Sequence, residues 1–166
     1  SMAFGDSRLA TVNDEQGILY ILDPETGEQL HHFEFNKPGD YEGVEFIGEH
    51  AYVVKSTGTI YEIKNFGTEG SEVVKHNGWL EKSNDVEGLG YDPVNKRLLL
   101  ACKGKAGSGE AFAAARSVYS YDPANGIFDT VPDIVVHLDD VRQYLDQNKS
   151  LQSWERLSEF FSPTAE

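Results

Sequence analysis

The sequence contains one short pattern twice, first as Asp40-Tyr41-Glu42-Gly43-Val44 and again, 45 residues later, as Asp85-Val86-Glu87-Gly88-Leu89. Each copy begins a β-patterned run and is followed by further runs of the same kind. The four-stranded blades of β-propellers repeat about every 40 to 50 residues. The spacing of the two copies therefore predicts a blade repeat.

Short β-patterned runs separated by Asp, Pro, Asn and Gly continue through the first 137 residues. Three turns have the same dipeptide, at Asp23-Pro24, Asp92-Pro93 and Asp122-Pro123. In this dipeptide Pro fixes the backbone angle of the turn and Asp accepts hydrogen bonds from it. After residue 138 the apolar residues follow a helical period. The sequence predicts an all-β fold, namely a β-propeller fragment of about three four-stranded blades with a C-terminal helical insertion and the start of a further blade.

The blade boundaries follow from this grouping of strands. We expect residues 1–7 to be a tag or a disordered start, and the first blade to lack its innermost strand. The predicted units are an incomplete blade at 8–36, a blade at 40–77, a blade at 85–138 with a loop insertion at 103–116, a helical insertion at 139–161, and a stub of the next blade at 162–166. Because closed propellers have about 4 to 8 blades, we expect a fragment, with possible self-association through its open blade faces.

Composition excludes several classes of protein. The chain has 166 residues, of which 39% are hydrophobic, so it can form a folded core. Its 14 basic and 28 acidic residues give a net charge of −14, which repels phosphate backbones and argues against nucleic acid as a partner. The same charge attracts divalent cations.

The single cysteine, Cys102, forms no internal disulfide and is expected to be a buried structural thiol.

Five segments together resemble a known family. They are residues 40–45 (DYEGVE), 50–56 (HAYVVKS), 58–63 (GTIYEI), 84–92 (NDVEGLGYD) and 98–104 (LLLACKG). This succession resembles the SdiA-regulated, YjiK-like family of bacterial envelope proteins, through most of residues 8–137 and again at 161–163. The resemblance implies a calcium-associated, phytase-like propeller of about six blades. It also implies a protein of the cell envelope that is periplasmic, secreted or lipid-anchored.

The acidic repeats are the candidate metal site. The first strand of each blade lines the channel of a propeller, so we expect Glu42 and Glu87 to approach each other there, with Asp40 and Asp85 at the rim. Two like charges about 4 Å apart cost roughly 4 kcal/mol at an effective dielectric of about 20. The cluster therefore needs a cation, bound protons or basic partners. Oxygen ligands on flexible loops favour Ca²⁺.

Ion pairing is the competing interpretation of the same acids. Lys55 and Lys103 end the second strands of the two blades, where they could pair with Glu42 and Glu87 respectively. These two lysines are also the candidate ligand-binding cations. Gly43 and Gly88 indicate close backbone approach near the channel.

Other motifs carry weaker signals. The Gly-rich basic segment 103–109 has the wrong order of residues for a phosphate-binding loop and is expected to be a mobile insertion. None of the five histidines has the spacing of a zinc protease or a catalytic triad, so we expect surface or core roles for them.

Three functional classes follow. We expect a calcium-associated, non-catalytic propeller that binds a small ligand or a partner protein at the cell envelope, because no nucleophile constellation is evident and no catalytic residue can be assigned. A phytase-like, calcium-dependent phosphoester hydrolase and a purely structural interaction platform are the alternatives.

Overall fold

The strands form three consecutive antiparallel sheets. The computed structural model describes residues 2–5, 8–66 and 68–148. Its strands are β1 (Met2–Gly5), β2 (Arg8–Val12), β3 (Ile18–Leu22), β4 (Gln29–Glu34), β5 (Tyr41–Ile47), β6 (His50–Lys55), β7 (Ile60–Lys64), β8 (Glu72–His76), β9 (Val86–Asp92), β10 (Arg97–Cys102), β11 (Ala115–Asp122), β12 (Ile127–Phe128) and β13 (Ile134–His137). Short 3₁₀ helices lie at Lys82–Asn84 and Glu110–Phe112, and helix α1 spans Leu138–Gln147.

Each sheet has the strand order of a propeller blade. Blade 1 has the order β1-β2-β3-β4 and blade 2 the order β5-β6-β7-β8. Blade 3 has the order β9-β10-β11-β12, and β13 pairs with the other half of β11. The predicted all-β fold of about three four-stranded propeller blades is confirmed for the described residues.

One boundary prediction is wrong. Residues 2–5 are not a disordered start, because β1 pairs with β2 in the register Met2 with Thr11 through Gly5 with Arg8. Blade 1 therefore has its innermost strand. The segment is only four residues long, and its extended form is set by hydrogen bonds to β2 rather than by a pattern of its own.

The core lies between neighbouring blades. One cluster joins blades 1 and 2 and contains Leu19, Tyr41 and Val53. A second cluster joins blades 2 and 3 and contains Val54 and Leu100. Adjacent residues of β6 thus enter different clusters, because successive side chains of a strand point to opposite faces. Blade 2 is covered on both faces, which explains why β6 is an almost continuous apolar run.

The Asp-Pro turns form as predicted. A carboxylate oxygen of Asp23 accepts hydrogen bonds from the backbone of Glu25 and Thr26, at 2.8 and 2.9 Å. Asp92 and Asp122 bind the two corresponding backbone N–H groups in their own turns. The pKa of all three carboxyl groups is lowered: in Asp23 mainly by these backbone hydrogen bonds, and in Asp92 and Asp122 mainly by hydrogen bonds from the side chains of Asn95 and Asn125.

Helix α1 accounts for the first part of the predicted helical insertion. It begins at Leu138, which is buried and whose N–H donates to the carbonyl of Ala114. The rest of the predicted insertion and the predicted stub at 162–166 lie outside the described residues. No helix in the described ranges is long and apolar enough to cross a membrane.

Candidate functional site

The repeated pattern encodes a β-bulge in the inner strand of two blades. In blade 2, Tyr41 pairs with Lys55 and Gly43 with Val54, so Glu42 is the extra residue. In blade 3 the register shifts between Val86 and Gly88 in the same way, which makes Glu87 the extra residue. A bulge breaks the regular alternation of side chains and redirects the bulged residue. The two glutamates are thus placed by equivalent distortions.

The inner strands are also joined by a repeated backbone hydrogen bond. The N–H of Tyr41 donates to the carbonyl of Asp14 in the preceding blade at 2.8 Å, and the N–H of Val86 donates to that of Ser56 at 2.9 Å. Both bonds link the start of an inner strand to the turn after the second strand of the previous blade. Strand β5 accordingly packs between β1 and β9. This arrangement brings the acidic ends of β5 and β9 together.

The four predicted acids form one electrostatic cluster around Glu42. Burial, hydrogen bonding to Asp40 and the charges of Glu87, Asp40 and Asp85 raise the pKa of Glu42 to about 7. The hydroxyl of Ser56 is the main cause that lowers the pKa of Asp40, with smaller contributions from Glu42, Lys55 and Lys82. Near neutral pH, therefore, Asp40 is ionised while Glu42 holds a proton in a large part of the molecules.

The two lysines behave differently. The Lys103 ammonium lies 2.8 Å from Glu87 Oε1 and 3.7 Å from Asp85 Oδ2, so the predicted Glu87–Lys103 ion pair is confirmed. Its hydrogen bond to Glu87 raises the pKa of Lys103. The predicted Glu42–Lys55 pair is wrong: Lys55 Nζ instead lies 5.3 Å from the centre of the Tyr41 ring. Lys55 forms no ion pair with any residue of the described ranges.

The charge of the cluster is thus balanced in part by a proton on Glu42 and by Lys103. Among residues 2–5, 8–66 and 68–148, no group of three or more His, Cys, Asp and Glu side chains is arranged to hold a metal ion. All four side chains offer carboxylate oxygens, which is the ligand type that Ca²⁺ takes. An ion would have to displace the proton of Glu42 and compete with the Lys103 ammonium.

A second polar group, within blade 2, was missed from the sequence. Glu62 of β7 is buried, with 8% of its surface exposed. Its Oε1 lies 3.0 Å from His50 Nδ1 and accepts the Tyr52 hydroxyl at 3.1 Å, and its Oε2 lies 2.9 Å from His76 Nε2. Burial pushes the pKa of Glu62 up, but the hydrogen bonds from His76, Tyr52 and His50 outweigh it and lower the pKa.

Strand register could have revealed this network. Tyr52 and Glu62 are directly paired residues of β6 and β7, and His50 lies on the same face of β6 as Tyr52. The sequence separations of 12 and 14 residues between Glu62 and the histidines match no catalytic motif, so a motif search alone could not find the network.

Cys102 is the buried thiol expected from the sequence, and burial raises its pKa to about 11.

Glu42→Gln should stabilise the protein at alkaline pH. The folded state holds the Glu42 proton with a pKa of about 7, against about 4.5 for a free glutamate, so the stability that this proton contributes is lost as the pH rises from about 4.5 to about 7. Glutamine cannot ionise and escapes the loss. Because Glu42 is partly exposed and water screens its neighbours, we expect a gain of about 1 to 2 kcal/mol at pH 8 and almost none near pH 4.5.

Urea unfolding from pH 4.5 to pH 8 measures this difference. Glu34→Gln on the exposed β4 removes one negative charge away from the cluster and is the matched control. Equal pH profiles for Glu42→Gln and the wild type would show that Glu42 does not titrate near neutrality.

Structural comparison places these blades among propeller-like folds. The chain is similar to Kuenenia stuttgartiensis hydrazine synthase, with 20% identity and a TM-score of 0.55, over 82% of this chain and 36% of that chain. It also matches an auxiliary nutrient binding protein from Bacteroides thetaiotaomicron, with 15% identity and a TM-score of 0.47, over 80% of this chain and 29% of that one. The chain therefore spans about a third of the length of these structures. No protein-family model and no curated protein matches it.

Proposed function

We propose that this chain is part of a non-catalytic β-propeller of the SdiA-regulated type that binds calcium where the inner strands of blades 2 and 3 meet. In this proposal the propeller acts at the bacterial cell envelope and binds a small ligand or a partner protein. The family resemblance of residues 8–137 and the acidic cluster support it.

The observation that carries the proposal is that the acidic ends of β5 and β9 meet, since each inner strand begins with a bulge that places a glutamate there. Burial and the hydrogen bond to Asp40 raise the pKa of Glu42 to about 7, and the charges of Glu87 and Asp85 from the next blade add to the shift. A divalent cation relieves the same repulsion more completely, because it brings two positive charges to the oxygens. Calcium is favoured over magnesium, since it accepts irregular sets of carboxylate and carbonyl oxygens whereas magnesium requires a near-ideal octahedron. The net charge of −14 further raises the local concentration of cations.

The two lysines have separate roles in this proposal. Lys103 is the internal counter-ion of Glu87 and Asp85 and would be released from them when calcium binds. Lys55, whose ammonium lies over the Tyr41 ring and acts on Asp40, would then be available to an anionic group of a ligand.

Calorimetric titration with CaCl₂ at pH 7 should show binding coupled to proton release. Since the pKa of Glu42 is about 7, we expect about half a proton to leave for each ion bound. Titration in two buffers with different ionisation enthalpies measures this number directly. MgCl₂ in place of CaCl₂ tests the choice of ion.

The double variant Glu42→Gln with Glu87→Gln should bind calcium at least tenfold more weakly, whereas Glu34→Gln should bind like the wild type. Two results would contradict the proposal: no binding of calcium by the wild type, or binding that the double variant leaves unchanged.

A further inference from the structure

A cavity of about 340 Å³ lies beside blade 3, and none of the four acids of the cluster lines it. Three segments form its walls: the linker from blade 2 to blade 3, the insertion after β10, and the turn before β13. Its apolar surface comes from Trp79, Phe112 and Tyr119, and its polar surface includes Glu81, Ser83 and Lys105. Small-molecule sites range from about 300 to 1,000 Å³, so the cavity has the size for a ligand of one or two rings.

The linker and the insertion are held together by hydrogen bonds. The amide of Asn84, itself 95% buried, donates to the carbonyl of Lys105 at 2.8 Å, and the Lys105 N–H donates to the carbonyl of Ser83 at 2.7 Å. The Tyr119 hydroxyl donates to the carbonyl of Ala106 at 2.6 Å. This part of the insertion, expected from the sequence to be mobile, is thus anchored at three points. The cavity is preformed rather than created by a ligand.

Trp79 is a large aromatic residue in the lining of the cavity. Its indole N–H donates to the carbonyl of Asp129 at 2.9 Å, and the edge contact with Tyr119, at 4.7 Å between ring centres and 84° between ring planes, fixes its orientation. The side chain is nevertheless 37% exposed. A large aromatic ring that is held in place yet open to solvent is suited to stacking against the apolar face of a ligand ring.

The charges around the cavity are balanced. Its charged lining residues are Lys105 and Glu81, one of each sign, so the cavity carries no net charge of its own. A cavity without net charge favours neither a cation nor an anion. The cavity combines the aromatic ring of Trp79 with hydrogen-bond donors and acceptors. These polar groups include the ammonium of Lys105, the hydroxyls of Ser83 and Ser108, and the carboxylate of Glu81.

We propose that this cavity binds an uncharged carbohydrate of one or two sugar rings. The apolar C–H face of a sugar ring stacks on Trp79, while its hydroxyls, which both donate and accept, bond to the polar side chains that line the cavity. The site differs from the proposed calcium site, since none of its lining residues belongs to the acidic cluster, although Asn84 directly precedes Asp85.

Saturation-transfer NMR and calorimetry test the proposal with glucose, galactose, mannose, N-acetylglucosamine, maltose, cellobiose and lactose. At least one of them should bind the wild type. Trp79→Ala should weaken that binding by about tenfold or more, and Trp79→Phe, which keeps an aromatic ring, should weaken it less. Ser108→Phe fills the cavity from an exposed loop position and should abolish binding even if Trp79→Ala destabilises the fold.

Two further ligands and one variant complete the design. Sodium benzoate and choline represent small anionic and cationic ligands and should not bind. The variant Glu42→Gln with Glu87→Gln should bind sugar like the wild type, which separates this proposal from the proposed calcium site. The proposal is overturned if no sugar binds at millimolar concentration, if Ser108→Phe leaves binding intact, or if only the charged ligands bind.

Discussion

Replacing Glu62 with alanine should lower the free energy of unfolding by about 3 kcal/mol. The carboxylate is buried on β7 and holds His50 and Tyr52 of β6 and His76 of β8. Removing it leaves the buried Tyr52 hydroxyl and the partly exposed His50 and His76 without their acceptor. A buried donor that loses a charged partner costs roughly 1.5 to 3 kcal/mol, and the histidines add less because water can reach them. Loss of the carboxylate also opens the contact between His76 and Tyr121 of blade 3, whose ring centres lie 5.4 Å apart. Urea unfolding at pH 7 measures the change.

Glu62→Gln is the matched control, because it keeps the shape of the side chain and one acceptor oxygen. We expect it to cost about 1 kcal/mol. The pH dependence supplies a second test: since the pKa of Glu62 is lowered, its ionised form contributes stability above about pH 4.5, and this contribution is lost as the pH falls through the lowered pKa. The difference between wild type and Glu62→Gln should therefore shrink in acid. A cost below about 0.5 kcal/mol for the alanine variant would mean that the network carries little stability.

Gly43→Ala should cost about 2 to 3 kcal/mol, a fall in Tm of about 6 to 9 °C, although it adds a single methyl group. A Cβ at this position would lie 2.6 Å from the Cβ of Leu89 and 3.1 Å from the backbone nitrogen of Leu89. Leu89 belongs to β9, so the added methyl group would push blades 2 and 3 apart. The backbone of Gly43 is not in the left-handed region, so strain in the backbone itself plays no part.

Gly88→Ala is a control that the repeat itself provides. Gly88 occupies the same place in the blade 3 copy of the pattern, but its Cβ would meet only the Cβ of Ala101, at 3.3 Å, a neighbour within its own blade. We expect a change of less than about 1 kcal/mol, of either sign. Calorimetric melting of both variants gives the comparison. Similar losses from the two substitutions would show that contact between blades is not what requires glycine in the pattern.

The repeat was the part of the fold that sequence could predict. The D-x-E-G pattern and the Asp-Pro turns are local signals, and the structure has the inner strands and turns where these signals place them. Strand β1 escaped prediction because its form depends on pairing with β2. Strand β12 is only two residues long and has no pattern to detect.

The sites show the same division between local and distant information. Equivalent positions in two blades were enough to predict that Glu42 and Glu87 influence each other. The bulges, the shared hydrogen bond between Asp40 and Glu42, and the place of Lys55 over Tyr41 depend on side-chain geometry that spacing does not specify. The network of Glu62 and the cavity beside Trp79 are assembled from residues of separate strands and loops. Their partners become neighbours only after the blades have formed.

The backbone hydrogen bonds from Tyr41 to Asp14 and from Val86 to Ser56 have a direction along the chain. In each bond the acceptor carbonyl belongs to the blade that the ribosome makes first, and the donor begins the blade made next. A folded blade thus presents the acceptor carbonyl to which the next blade binds. Within each sheet the paired strands are close together in the sequence, and contacts of small sequence separation favour rapid folding. Assembly can proceed during translation, with each blade added in the order of synthesis.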